Sequence, residues 1–287
     1  MIFEKIKKII PIFLGILFLA DILAWIAVFD LSQPHLLEVS FFDVGQGDSI
    51  FIETPQRHQI LIDGGPDSMV LEKLGKEMPF WDRTIDLVIL THPDFDHLNG
   101  LIEVLNSYEV KNILWTGIVS DKNEYNEWLD VMKKEKAKVT IAEAGQKIKS
   151  GGVYLEIVYP FDNLNGRKVE NTNNSSVVSR LVFGETSFLF LGDIYQSVEK
   201  EIAEKKGNLD SDVLKISHHG SKYSSNNDFI KKVSPEIGVI SVGKDNNYGH
   251  PSQETLETLG KYGINILRTD LEGDIKIISN GKEFVVQ

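Results

Sequence analysis

From Leu36 onward, short apolar runs alternate with polar breaks, and the hydrophobic period switches between two and about 3.6. LLEVSFFDV (36–44), SIFIET (49–54) and HQILID (58–63) predict strands, separated by GQGD and PQR turns. A helix is predicted around 68–77, then a buried strand at IDLVIL (85–90). A helix after His97, the strand NILW (112–115), a charged helix near 122–136 and the strand KVTIA (138–142) follow. The charged helix reads as a solvated face. VYLEIVY (153–159), SSVVSRLVF (175–183) and TSFLFL (186–191) predict strands, the last two joined by a GET hairpin signal. QSVEKEIAEKK (196–206) has the period of an amphipathic helix. DVLKIS (212–217), IGVISV (237–242), INIL (264–267), DIKIIS (274–279) and EFVV (283–286) complete the strands, with helices near 225–232 and 252–261. Hairpins and helical crossovers in one chain predict an α/β fold of two mixed sheets with helices outside.

Residues 9–29, IIPIFLGILFLADILAWIAVF, break the pattern: 21 residues with Asp21 as the one charge. That length predicts a helix spanning a bilayer. Three lysines precede it and no Lys or Arg follows before Arg57, which predicts an inside N-terminus. No small-x-small cleavage site follows, so an uncleaved signal anchor is preferred to a cleaved signal peptide or a buried amphipathic helix. LSQPH then reads as a linker. The expected organisation is an anchor and linker at 1–33 and one domain at 34–287, outside the cytoplasm on a single-pass cell-membrane protein.

Composition narrows the chemistry. Cysteine is absent, which excludes disulfides, cysteine zinc sites, a thiol nucleophile and a cysteine-linked lipid anchor. A net charge of -12 argues against broad non-specific binding of nucleic acid. It leaves open a nucleic-acid substrate at a site with its own cations. KKEKAK (133–138) and Lys205, Lys206, Lys231 and Lys232 offer local basic faces, for which solvated surface is the commoner fate.

The strand ending at Thr91 runs into THPDFDHLNG (91–100). His92, Asp94, Asp96 and His97 therefore fall on a loop at a sheet edge and at the start of a helix, where rigid scaffolds carry sites. In H-x-D-x-D-H the residues at i and i+2 can converge on one point, and adjacent Asp96 and His97 can serve a second. Ligands so compressed serve one ion poorly, whereas two ions about 3.5–4 Å apart use them naturally. A capped helix or a plain turn is the structural alternative. Two histidines interleaved with two aspartates outweigh it. Asp193 ends the strand in SFLFLGD, where a carboxylate could bridge both ions. His218 and His219 end VLKIS in SHHGS, and His250 lies in YGHPS after IGVISV. Five of the seven histidines thus sit at strand ends or just beyond, which points to a metal or catalytic site.

HPDFDH, LGD and SHHGS resemble motifs of the metallo-β-lactamase fold. More narrowly, FFDVGQGDSIFIE, ILIDGG, NNSSVV and YGHP resemble the hydrolase domain of ComEC-type competence proteins, over residues 36 to about 285. The resemblance implies a four-layer αββα sandwich with a binuclear site at the sheet edge. It implies that His92 and Asp94 bind one ion, that Asp96 and His97 bind the other, and that Asp193 bridges. One of His218 and His219 completes the second position, with His219 preferred. The wider fold often has histidines where this chain has Asp94 and NNSS. Water, substrate or an asparagine such as Asn174 would then fill the first position. Asp63 resembles the acidic residue that supports ligands from behind, with a turn residue before Gly64 as the alternative. Asp48 and Gln46 either reach the site or shape a glycine turn.

The implied activity is that of a membrane-anchored hydrolase with two divalent ions, Zn or Mn, acting on a phosphodiester, DNA first. Asp96, His218 and His250 are the catalytic candidates. His250, or the histidine of the pair that is not a ligand, would protonate the leaving group or bind its oxyanion. ComEC-type proteins carry a many-span channel that this chain lacks, so a role in DNA uptake would require a separate channel as partner. Two alternatives stand. One is hydrolysis of a small ester, a phosphorylcholine ester or a β-lactam, which the net charge favours. The other is an inactive binding or scaffold protein, against which the full donor set speaks.

Overall fold

The computed structural model describes residues 2–32 and 36–287, with side chains described at 10–26, at 28 and from 36 onward. It has two compact units, Met1–His35 and Leu36–Gln287. The first contains one helix, Ile2–Ser32, with Pro11 inside it. Its large apolar side chains between Ile10 and Val28 are exposed. Among the described residues no helix is long and apolar enough to cross a membrane. The span expected at 9–29 includes side chains 9, 27 and 29, which lie outside the described residues.

In the second unit the strands form two large sheets. One has eight strands, in the order Phe284–Val286, Ile275–Ser279, Leu37–Phe41, Ile50–Glu53, Gln59–Ile62, Leu87–Ile89, Asn112–Trp115, Lys138–Ile141. The other has seven: Asn265–Arg268, Ile237–Ile240, Val213–Lys215, Thr186–Phe190, Val178–Phe183, Val153–Tyr159, Lys147–Ser150. Each sheet is antiparallel where hairpins join its strands and parallel where helices do. The period of two in the strands decides the layers. Ile50, Ile52, Ile60, Ile62 and Ile89 face the other sheet's Phe188, Phe190, Val213 and Val239 in one core. Their neighbours Phe51, Leu61 and Val88 turn outward under helices Met69–Glu77, Phe95–Ser107 and Asn123–Lys134. Leu189, Leu214 and Ile240 do the same on the opposite side, under Gln196–Lys205, Asn227–Val233 and Gln253–Lys261. The layers are the expected αββα.

Three local readings change. The charged helix is not simply a solvated face: Asn123–Lys134 buries Tyr125, Trp128, Val131 and Met132, with Val131 and Met132 three and four residues beyond Trp128. The strand expected at 175–183 starts later: Asn173–Ser175 forms a 3-10 turn, and the strand begins at Val178. Lys147–Ser150 is an unexpected edge strand whose half-exposed pattern carries little apolar signal.

The parallel strands of both sheets end at one rim. Asp63 follows Gln59–Ile62, Thr91 and His92 follow Leu87–Ile89, and Asp193 follows Thr186–Phe190. Ser217–Gly220 follows Val213–Lys215, and Ser241 follows Ile237–Ile240. Carboxyl ends of parallel strands are where α/β sheets place ligand sites.

Candidate metal centre

Asp63 is the anchor of the first sheet's half of the rim. Its backbone is left-handed, with φ of 57°. Gly64 next to it lies so close to the backbone of Gly100 and Leu101 that a Cβ would collide there. The Phe95–Ser107 helix is thereby pressed onto the loop. Asp63 Oδ1 accepts the Thr91 amide at 2.8 Å, and Oδ2 accepts Thr91 Oγ1 at 2.6 Å. Oδ2 also takes His97 Nδ1–H at 2.8 Å. That bond fixes the tautomer and leaves the His97 Nε2 lone pair for a ligand role.

The second sheet builds a matching imidazole. His218 and His219 both hold left-handed backbone, with φ of 49° and 53°, and Gly220 continues the turn at 79°. Such conformations in non-glycine residues are strained and concentrate at functional sites. His219 Nδ1 donates to the Ser241 carbonyl at 2.8 Å, so its Nε2 is likewise free to accept. The two Nε2 atoms converge on the aspartates. His97 Nε2 is 3.3 Å from Asp193 Oδ2, and His219 Nε2 is 3.4 Å from that oxygen and 3.3 Å from Asp96 Oδ2.

One ligand atom from each of Asp96, His97, Asp193 and His219 lies within 4.8 Å of all the others. His97 Nε2, His219 Nε2 and Asp193 Oδ1 are buried without a hydrogen-bond partner. Buried polar atoms are normally satisfied, so aimed and unsatisfied ones call for a bound group. Charge points the same way. Burial pushes the His97 and His219 imidazoles down, but Asp193 and the other carboxylates around them win and hold both well above the ordinary 6.5. Burial pushes Asp193 up, and His219 and His97 outweigh it, holding the carboxyl well below 3.8. The pocket requires positive charge at the Nε2 positions. A divalent cation between these donors meets that requirement, and the donor set of carboxylate and imidazole fits one.

The remaining candidates are arranged around this cluster. His92 is buried, its ring 4.2 Å from that of His97, with Nδ1 at 3.0 Å from Thr91 Oγ1 and 3.3 Å from Ser176 Oγ. Asp94 lines the same cavity as Asp96 and Asp193, but its Oδ1 accepts Thr172 Oγ1 at 2.7 Å and Lys122 Nζ at 2.9 Å. His218 sits beside Asp193 Oδ2 at 3.9 Å and stacks on Tyr195. Burial, then the neighbouring His218 and His219, push the His250 imidazole down to about 4. Gln46 lines the cavity, its Oε1 accepting the Gly243 amide at 3.2 Å. Asp48 lies behind His219, with Oδ1 at 3.4 Å from Nδ1.

Asn174 does not take the place expected of it. Its Oδ1 accepts the Tyr195 amide at 2.8 Å, because the 3-10 turn aims it at the next strand end. Asn173 lines the cavity instead, with Nδ2 at 3.4 Å from His218 Nε2. Two further residues escape sequence reasoning. Lys215 is fully buried with Nζ at 2.7 Å from Asp48 Oδ2, and a lysine inside the apolar VLKIS was its available signal. Glu199 is fully buried and accepts the amides of Ser225 and Asn226 at 2.8 and 2.6 Å. It shares the buried stripe of its helix with Val198 and Ile202.

This fold and this donor cluster define a metallo-β-lactamase-fold hydrolase, and the chain belongs to the beta-lactamase superfamily: the model of the beta-lactamase superfamily domain matches residues 58–241. It is 33% identical over 257 residues to ComE operon protein 3 of Bacillus subtilis (strain 168), covering 83% of this chain and 32% of that protein. It is 32% identical over 240 residues to Competence protein ComA of Neisseria gonorrhoeae, again covering 83% and 32%. The chain thus spans about a third of the length of these curated relatives. Among solved structures, the metallo-beta-lactamase fold protein YhfI from Bacillus subtilis aligns with a TM-score of 0.55 at 13% identity. That alignment covers 85% of this chain and 100% of YhfI, and it shows the fold.

Proposed function

We propose that the chain is a phosphodiesterase acting on DNA with two divalent ions, Zn or Mn. The observation that carries the reading is the convergence of Asp96, His97, Asp193 and His219 within 4.8 Å, with unsatisfied Nε2 atoms facing carboxylates. Those four residues would hold one ion. His92 and Asp94 would hold the second, with Asp193 shared. Divalent ions there supply Lewis acidity and bring the pKa of bound water toward neutrality. The chain's own groups do the rest. Asp63 and the Ser241 carbonyl keep His97 and His219 in the tautomer with Nε2 free. His250, with its value near 4, is a neutral imidazole at pH 7 and serves the leaving oxygen as a hydrogen-bond donor rather than as a cation.

Residues 9–29 would anchor the chain in the cell membrane, with the hydrolase outside the cytoplasm and a separate uptake channel as partner. The exposed apolar side chains from Ile10 to Val28 and the single charge at Asp21 support the anchor, and the three lysines before the span support the orientation. Protease added to intact cells with an accessible outer face should digest the C-terminal unit; protection together with a soluble fraction would refute the anchor. The activity is tested by turnover of single-stranded DNA, double-stranded DNA, bis-p-nitrophenyl phosphate and nitrocefin with metal-loaded protein. Cleavage of DNA is expected. Turnover of nitrocefin alone would move the assignment to small-substrate chemistry.

A further inference from the structure

A cleft of about 520 Å³ adjoins the metal-centre cavity of about 140 Å³, and His218, Tyr248 and His250 line both. Its aromatic rings form stacks. His218 lies on Tyr195, centroids 5.3 Å apart and 8° from parallel, and Tyr195 lies on Tyr223 at 5.8 Å and 23°. A second pair, Tyr248 on His250, is 5.9 Å apart at 19°. The first stack begins beside Asp193 and ends at Tyr223, which is 56% exposed; Tyr248 is 72% exposed. Lys222 Nζ stands over the Tyr223 ring, 5.3 Å from its centroid, so a base stacked on that face takes the place of the ammonium.

Tyrosines bury large areas when a core will take them, so two exposed rings at a cleft that leads to a metal centre offer binding surface. The angles say what fits. Rings that stand nearly parallel extend a column by one more flat face. A quaternary ammonium group is held instead by rings enclosing it from several sides. A nucleobase presents a flat π-face whatever its identity, and aromatic platforms bind single strands through such stacking. In a duplex both faces of a base are covered by its neighbours. The lysine at the outer end supplies a cation for a backbone phosphate without touching the acidic centre.

We propose that Tyr223 and Tyr248 stack nucleobases of a single strand and so seat a neighbouring phosphodiester at the metal centre. The site recognises the strand by its bases' faces and not by their edges, so it is sequence-tolerant and selects single strands over duplex. It rests on the phosphodiesterase reading, and the two can fail separately.

The test uses the full metal-loaded chain with a single-stranded DNA 10-mer, the same oligomer made abasic, and one carrying 2-aminopurine. Wild-type protein should quench 2-aminopurine fluorescence and prefer the base-bearing oligomer by roughly 5- to 150-fold in kcat/KM, the range of one base–aromatic stack. Tyr223→Ala with Tyr248→Ala should lose the quenching and bring that preference close to one. Tyr223→Trp with Tyr248→Trp should restore both, which a merely structural role would not do. A preference that survives the double alanine variant, or no quenching by wild type, overturns the stacking site. Quenching without cleavage of either oligomer keeps the site and overturns the phosphodiesterase reading. Faster turnover of p-nitrophenylphosphorylcholine than of the oligomer, lost in the alanine variant, reassigns the rings to a cationic headgroup and overturns the proposal.

Discussion

Lys215 Nζ lies 2.7 Å from Asp48 Oδ2, and both side chains are shielded from solvent. The lysine also donates to the Ile216 carbonyl at 3.0 Å. Burial pushes the Asp48 carboxyl up, but Lys215, with His219 behind it, outweighs this and holds it below 3.8. A cation inside a parallel strand therefore keeps charged a carboxylate that touches a candidate metal ligand. The pair belongs to the outer support of the site, on the side of the second sheet, where Asp63 serves the first.

Lys215→Met should leave the Asp48 charge buried without its partner and cost about 3–5 kcal/mol. Combining it with Asp48→Asn should recover much of that loss, because no buried charge then remains. Urea unfolding of both single variants and the double gives the coupling energy. Additive losses would show that the pair does not act as a unit.

Asp193 faces both imidazoles, so Asp193→Ala should abolish most metal binding, while His250→Ala should retain metal and lose turnover. Metal analysis after purification, alongside turnover, separates the two roles. Full occupancy in Asp193→Ala would remove the aspartate from the ligand set. Loss of metal in His250→Ala would instead add the histidine to it.

The layers and the rim are legible in the sequence because both follow from local pattern. A period of two fixes which residues face the other sheet, and Thr91, Asp193 and Ser217 visibly end apolar runs. The convergence of Asp96, His97, Asp193 and His219 needs only that those strand ends share a rim. What is not legible depends on backbone detail. A 3-10 turn exchanges Asn173 for Asn174, and consecutive left-handed residues separate the fates of His218 and His219. The stacked tyrosines come from three loops distant in sequence, so no periodicity announces them. Glu199 falls on the buried stripe of its helix with Val198 and Ile202, but a charged side chain there reads as the polar edge of an amphipathic helix until its amide partners are known.

Glu199 should leave a mark on the pH dependence of stability. Burial raises its carboxyl from the ordinary 4.5 to about 7, against two backbone amides that pull it down. A raised value means that the folded state binds the proton more tightly than the unfolded chain does. Its contribution is therefore fully present below pH 4.5 and is lost as the pH rises through about 7. The loss is roughly 3 kcal/mol. Wild-type stability minus that of Glu199→Gln, from urea unfolding at several pH values, should fall by this order between pH 4.5 and 8. A difference that is flat or rises with pH would contradict it.

Metal choice follows from the donors. The proposed set has Asp94, Asp96 and Asp193 against His92, His97 and His219, and oxygen donors suit harder ions such as Mn²⁺. Zinc binds a given site more tightly than manganese, so isolated protein can carry zinc from its host. Phosphodiester cleavage also needs exchangeable positions for substrate oxygens. Metal-free protein should regain phosphodiesterase activity better with Mn²⁺ than with Zn²⁺ at matched occupancy. A clear zinc preference would falsify this and favour the small-ester or β-lactam alternative.

The two proposed ion positions should differ in strength, and Lys122 is the reason. Asp94 Oδ1 accepts both Lys122 Nζ at 2.9 Å and Thr172 Oγ1 at 2.7 Å, whereas Asp193 Oδ1 has no hydrogen-bond partner. An ion bound by His92 and Asp94 competes with the lysine for the same carboxylate; an ion bound by His97 and His219 replaces the Nε2 protons of those imidazoles but has no lysine to move aside. Occupancy should therefore proceed in two steps, with the His92–Asp94 position filling last. Lys122 is 44% exposed, so its ion pair is screened and is worth about 0.2–1 kcal/mol. Lys122→Met should tighten the second step by roughly 1.5- to 5-fold and leave the first unchanged. Calorimetric titration of metal-free protein with Mn²⁺ resolves the steps. Weaker second binding in Lys122→Met would mean that the lysine holds Asp94 in position for the ion rather than competing with it.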